Sequence, residues 1–340
     1  MQDMSAEEIF GLFFDGSPVS VDTVYSGRGE SDFREALIVR TEDESKYVIK
    51  LADNDFTDPD RIADWQRTVG EYIDLGYYCP RILCDKNGSF PKVGYKGHSC
   101  TAYAEEYSKY RSAENIYSGK GCGGRSHYES YAEDMWIMTA KIAAKHFDYT
   151  DRPSAYCLFD VFCPGDKNDE VLENANAWSE YVRSLPGEFS EQTQRIRRIW
   201  DENRQELEKV YHLLPSSVFQ ADLNPTNILL DEDEKFAGVY DFNLSGKDVF
   251  LNYLMRENFG EFEEELDMIR KALKTASSHY RFSDAEKDNA LRLYRCLKPL
   301  WYCKLETLRG LGSDCEAVKK YLDKTEYYLT ADIDLRSFME

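Results

Sequence analysis

Between Val218 and Leu244 the chain reads V-F-Q-A-D-L-N-P-T-N-I-L-L-D-E-D-E-K-F-A-G-V-Y-D-F-N-L. This stretch constrains the fold more than any other. Val218 and Phe219 lead into a polar loop, and Ile228, Leu229 and Leu230 begin a short buried strand. Asp231 to Lys235 is too charged to bury and reads as a turn, with Phe236 to Tyr240 as the return strand. An antiparallel hairpin brings its open ends together. With the turn centred near Glu234, Asn227 and Asp241 face each other at the open end. A carboxylate and an amide oxygen at one point form a hard-oxygen site suited to Mg²⁺. The preceding loop holds Asp222 close by, where it can accept a proton from a hydroxyl. Taken singly, Asp and Asn are common loop residues for local hydrogen-bonding reasons. The D-x-x-x-x-N spacing from Asp222 to Asn227, followed by Asp241 on the second strand, points to phosphoryl transfer.

These residues resemble the catalytic loop and metal-binding segment of the aminoglycoside phosphotransferase / choline kinase-like family, relatives of protein kinases. That family reads H-G-D-x-x-P-x-N and then I-D-[FWY]; Asp222, Pro225, Asn227, Asp241 and Phe242 are in register with it. The chain departs at Gln220, where His is usual, and at Asn243, where Gly is common. The resemblance implies an α+β, two-lobed protein-kinase-like fold. Residues 1–104 would form a small antiparallel-sheet lobe that binds nucleotide, 105–107 a hinge, and 108–340 a larger, mainly helical lobe for catalysis and acceptor binding. It further implies Asp222 as base, Asn227 and Asp241 as Mg²⁺ ligands, and ATP as phosphoryl donor.

Upstream, Lys46-Tyr47-Val48-Ile49-Lys50-Leu51 alternates as a strand, with Val48 and Lys50 on one face. A lysine among apolar residues on a central strand needs a partner. The segment resembles the V-A-I-K strand of kinases, whose lysine holds the α/β-phosphates. In the family an acid on the following helix, here 58–75, pairs with that lysine. The slot falls near Gln66; Glu71 is the nearest acid on one side and Asp64 on the other, and Glu71 is the candidate. Gly27 and Gly29, with Arg28 between them, either form a plain hairpin turn or let the backbone approach phosphate. Ser99 to Tyr107 reads as a strand ending in acids. By resemblance, backbone groups around Glu105, Glu106 and Tyr107 would meet the adenine edge. The glycine-rich run near 119–125 is not a P-loop and reads as an insertion or linker.

Helical spacing recurs at 131–149, at 190–214 and from Phe259 to Leu273. Ser283 to Glu286 is a capping box, and Pro299 predicts a kink in the helix that follows. Residues 150–187 read as irregular. The balance of 42 basic to 63 acidic residues gives a net charge of −21. Such a chain repels nucleic acid and anionic membrane, and attracts a cationic small molecule. Nine cysteines, without a C-x-x-C pair or a signal-like leader, favour reduced thiols in a cytoplasm. The leading expectation is an ATP-dependent small-molecule O-kinase whose acceptor is cationic, such as an aminoglycoside, choline or another amine-bearing alcohol. A nucleotide-binding regulatory module without transferase activity, and a kinase acting on a protein, are the alternatives.

Overall fold

The computed structural model describes residues 2–27, 29, 31–114 and 125–340, with backbone alone for 125–127. Arg28 and the glycines at 119–124 lie outside the described residues. The chain divides into two compact units. The first comprises Met1–Tyr131, Cys163–Gly165 and Gln220–Gly246; the second comprises Ala132–Phe162, Asp166–Phe219 and Lys247–Glu340. These units cut the chain at other places than 1–104 and 108–340, because the hairpin after Gln220 returns to the N-terminal unit.

The first unit is built on an antiparallel sheet. Its strands are β1 (Ser20–Tyr25), β2 (Phe33–Arg40), β3 (Lys46–Asp53), β4 (Ile82–Leu83), β5 (Lys92–Tyr95) and β6 (His98–Glu106), in the order β1-β2-β3-β6-β4, with β5 also paired to β6. Alternation decides its two faces. Phe33, Leu37 and Val39 of β2, Ile49 and Leu51 of β3, and Cys100, Ala102 and Ala104 of β6 are buried on one side. Helix α1 (Ala6–Phe13) covers that side with Ile9, Phe10 and Phe13, and a Ser5/Glu8 capping box starts it. The other face carries Lys50, and its register is fixed by Ala36 opposite Lys50 and Tyr103 opposite Lys50. Helix α2 (Pro59–Asp74) begins at Asp58, whose carboxylate accepts from the N–H groups of Asp60 and Arg61. Trp65 of α2 meets Tyr103 edge-on at 6.0 Å. β7 (Arg111–Ser112) joins the hairpin of β9 (Ile228–Leu230) and β10 (Phe236–Val239) in a three-stranded sheet.

The second unit is mainly helical: α3 (Arg125–Ala143, in this unit from Ala132 onward), α4 (Glu170–Val182), α5 (Ser190–Tyr211), α6 (Phe250–Arg256), α7 (Phe262–Ser277), α8 (Asp284–Leu297), α9 (Tyr302–Gly310) and α10 (Cys315–Thr330). β8 (Ser216–Phe219) pairs with β11 (Gly246–Val249). Two expectations are corrected here. Residues 150–187 are not wholly irregular: Val171, Ala175, Trp178 and Val182 bury one face of α4, capped by Asp169. Pro299 does not kink a continuing helix, since α8 ends at Leu297 and α9 starts at Tyr302.

Candidate active site

Lys50 is the centre of the polar face of the sheet. Its Nζ lies 3.0 Å from Glu105 Oε1 and 2.9 Å from Asp241 Oδ1. Register explains the first contact. Lys50 pairs with Tyr103 and Val48 with Glu105, so Glu105 projects from β6 on the same face, one side-chain step along. The second contact comes from Asp241, two residues past the end of β10 in the β9–β10 hairpin. Burial alone would depress the Lys50 ammonium, but Asp241, then Glu105 and Tyr103, hold it well above the ordinary lysine value. Burial pushes the Glu105 carboxyl up, with Lys50 pulling it down and Asp241 pushing it up again.

The hairpin is paired through Val239–Ile228, and the Tyr240 N–H donates to the Asn227 carbonyl at 3.1 Å. Asn227 therefore sits at the last rung and Asp241 one residue beyond it. Asn227 is buried, and its Nδ2 donates to the Asp222 carbonyl at 3.0 Å and to Asp222 Oδ2 at 2.9 Å. Asn224 Nδ2 donates to the other Asp222 oxygen at 2.7 Å. One fully buried side chain ties these parts together. Gln220 Nε2 donates to the carbonyls of Tyr240 (2.9 Å) and Asp241 (3.0 Å), while its Oε1 accepts the Asp222 N–H (2.8 Å). Its own N–H donates to the Tyr72 hydroxyl at 3.0 Å. A primary amide offers two donors and an acceptor on one rigid end, so it can span both segments. Tyr72 of α2 also meets Phe242 edge-on at 5.3 Å. Ala221 (φ 80°) and Asp241 (φ 59°) both occupy the left-handed region. Held strain of this kind clusters at functional segments.

Whether the residues suit a divalent cation depends on the donor set. Asn227 spends its amide N–H groups on Asp222, which leaves Oδ1 as a neutral oxygen donor, and Asp241 supplies a carboxylate. These are the hard oxygens that Mg²⁺ or Ca²⁺ takes. Among the described residues no group of three or more His, Cys, Asp or Glu side chains is placed to hold a metal by itself. The donor set thus fits an ion that draws its remaining ligands from phosphate oxygens and water.

A cavity of about 240 Å³ opens beside Lys50, lined among others by Ser26, Arg34, Phe56, Tyr103, Asp241 and Asn243. A larger cavity of about 530 Å³, among Trp178, Arg183 and Arg197 of the second unit, holds none of the groups above.

The structure thus joins Lys50 to Asp241, and Asp222 to Asn227, within one unit. It does not bring Glu71 to Lys50. Glu71 faces Arg67 at 3.9 Å on its own helix, and Gln66 donates to the Ile82 carbonyl at 2.8 Å. Glu105 reaches the site through its carboxylate, not its backbone. The expected adenine-edge donors are used elsewhere: the Glu106 N–H donates to the Arg81 carbonyl and the Tyr107 N–H to the Lys46 carbonyl. Tyr107 itself is exposed. Gly27 is demanded by packing, since a Cβ there would lie 2.4 Å from the Asp32 carbonyl oxygen, and Gly29 adopts φ 149°. Sequence reasoning missed the Glu105 side chain, the Gln220 clamp and Arg34. Alternation in Phe33-Arg34-Glu35-Ala36 was the available signal for Arg34, once β2 is placed beside β3.

No protein-family model and no curated protein sequence matches the chain. Solved structures do. An amicoumacin kinase, hAmiN, in complex with AMP-PNP, Ca²⁺ and Ami, superposes with a TM-score of 0.51 at 15% identity, over 97% of this chain and 95% of that one. An aminoglycoside phosphotransferase from Alicyclobacillus acidocaldarius gives 0.47 at 10% identity, with 97% of each chain covered. The APH(2")-IIa of a gentamicin complex gives 0.45 at 15%, with both chains covered fully. The chain has a kinase-like fold, similar to that of the amicoumacin kinase. The likeness to hAmiN runs over 97% of this chain.

Proposed function

We propose that the protein is an ATP-dependent phosphotransferase that moves the γ-phosphate in line onto a hydroxyl of a small, cationic acceptor. The observation that carries this reading is the joining of Lys50 to Asp241, and of Asp222 to Asn227, by one Gln220 clamp. Lys50 neutralises donor phosphates. Asp222, held by Asn224 and Asn227, orients the attacking hydroxyl and accepts its proton as the new P–O bond forms and the bond to the leaving nucleotide breaks. Asn227 and Asp241 would hold Mg²⁺, which supplies charge neutralisation at the phosphates. The Lys50–Asp241 pair is then a resting arrangement: Asp241 keeps the ammonium in place until phosphate takes it over.

The acceptor is read as cationic from the net charge of −21, and as a small molecule by likeness to the amicoumacin kinase. The test is ATP turnover with Mg²⁺ across a panel of aminoglycosides, choline and other amino alcohols, with Asp222→Ala as control. Turnover on at least one acceptor that vanishes in Asp222→Ala supports the proposal. Tight ATP binding with no turnover on any acceptor would favour a regulatory nucleotide-binding module, and transfer to protein alone would favour a protein kinase.

A further inference from the structure

The cavity beside Lys50 has a second cation on its wall. Arg34 lies on β2, where it pairs with Ala52, while Ala36 pairs with Lys50. Arg34 therefore shares the face of Lys50 and stands two residues further from the Tyr47–Glu106 end of the sheet. Two strand residues span roughly 7 Å. The Arg34 guanidinium is held in place: Nη2 donates to Asp32 Oδ2 at 2.8 Å, and Asp32 Oδ1 accepts from Asn54 Nδ2 at 3.1 Å. Its carbon lies 5.9 Å from the Phe56 ring centroid. Its Nε is buried and has no hydrogen-bond partner among the described residues. A buried guanidinium donor without an acceptor costs free energy unless something comes to meet it.

Charge makes the same point. Lys50 is in contact with two carboxylates, so its surroundings are already negative before any phosphate enters. A nucleoside triphosphate adds three to four more negative charges, and one lysine does not balance them. Among the described residues that line this cavity, Arg34 is the other cation. Its planar fork suits phosphate oxygens better than an ammonium does.

We propose that Arg34 is a second phosphate-binding residue of the donor site, taking the terminal phosphate while Lys50 takes the inner ones. This rests on the donor-site reading given above. The order follows from the strand: Lys50 is nearer the Tyr47–Glu106 end, and Arg34 lies one side-chain step beyond it. The residue then discriminates a triphosphate from a diphosphate, which a merely structural arginine would not do.

The experiment titrates the full chain with MgATP and with MgADP by calorimetry, for wild type, Lys50→Gln, Arg34→Gln and Arg34→Lys. For Arg34→Gln, ATP affinity should fall about 10- to 100-fold, the range of a lost charge-assisted contact, while ADP affinity moves less than about twofold. Lys50→Gln should weaken both. Arg34→Lys, which keeps the charge but not the fork, should give an ATP-to-ADP ratio between those of wild type and Arg34→Gln. Wild type that binds neither nucleotide would overturn the donor-site reading and this proposal with it. Wild type that binds both, with an ATP-to-ADP ratio unchanged by Arg34→Gln, would overturn this proposal alone. Should Arg34→Gln fail to fold, Arg34→Lys decides, and an unchanged ratio there overturns the assignment.

Discussion

Glu105→Gln is the sharpest test of how the site is built. The Glu105 carboxylate lies 3.0 Å from Lys50 Nζ, and the two side chains are 9% and 22% exposed. At that distance the gross attraction is roughly 5–6 kcal/mol for an effective dielectric near 20. Taking the carboxylate out of water costs several kcal/mol, and burial together with repulsion from Asp241 outweighs the pull of Lys50, so the Glu105 carboxyl is pushed up. An amide of the same shape loses both effects. Stability should therefore change by about 1 kcal/mol or less.

Catalysis should respond differently. In the resting protein Asp241 still holds Lys50. Once Asp241 is engaged by a divalent cation, the variant leaves only a neutral amide to fix the lysine. Charge-assisted hydrogen bonds are about twice as strong as neutral ones, so about 1–1.5 kcal/mol of positioning is lost. That corresponds to a fall of about tenfold in kcat/KM for ATP. The assay is steady-state turnover against ATP concentration with the best acceptor of the panel, beside thermal unfolding of each variant. Glu71→Gln, on α2, should stay within about twofold of wild type. A tenfold loss in Glu71→Gln with wild-type rates in Glu105→Gln would refute the assignment of Glu105 as the lysine's partner.

Asp241→Ala should abolish the dependence of ATP affinity on Mg²⁺, and chelation should stop turnover in wild type; a metal titration unchanged by the substitution would remove Asp241 as a ligand. Ala221 holds φ 80°, so Ala221→Gly should raise stability by about 0.5–1 kcal/mol in denaturant titrations, and a loss of stability would contradict strain at that residue. Lys298 is fully buried, and its amine is lowered to about 8 by burial and by Lys304 and Arg256, against the pull of Glu265. The unfolded chain then binds the extra proton between about pH 8 and 10.5. The penalty of the buried cation is complete below pH 8 and is relieved as pH rises, on the order of 2 kcal/mol by pH 10 relative to Lys298→Met. Parallel stability–pH curves for the two proteins would refute it.

How much of this was legible in the sequence follows from the range of the interactions. Asp222 and Asn227 stand five residues apart, and the hairpin that carries Asn227 to Asp241 closes over a turn of charged residues, so that half of the site was readable. Lys50 was readable as a buried cation in want of a partner. Its partner was not, because Glu105 meets it only once β3 and β6 are set in register, a contact across 55 positions. Helix α4 was hidden for a different reason. Its four buried residues recur at helical spacing, but the apolar Leu172, Ala177 and Tyr181 lie between them among Asn, Glu and Ser, which blurs the face in the sequence. The adenine-edge reading had no side-chain signature to rest on, because backbone groups leave no trace in side chains, and the Glu106 and Tyr107 N–H groups donate within the protein.

The substitution of a strand acid for a helix acid changes what α2 can do. Lys50 is fixed by sheet register from one side and by the hairpin end from the other. Helix α2 instead reaches the site through Tyr72, which receives the Gln220 N–H and packs against Phe242. A displacement of α2 would thus act on the loop that carries Asp222 and on the segment that carries Asp241, and leave the lysine's strand partner in place. Helix α2 bears on the segments that carry Asp222 and Asp241, while β6 supplies the lysine's other partner, Glu105.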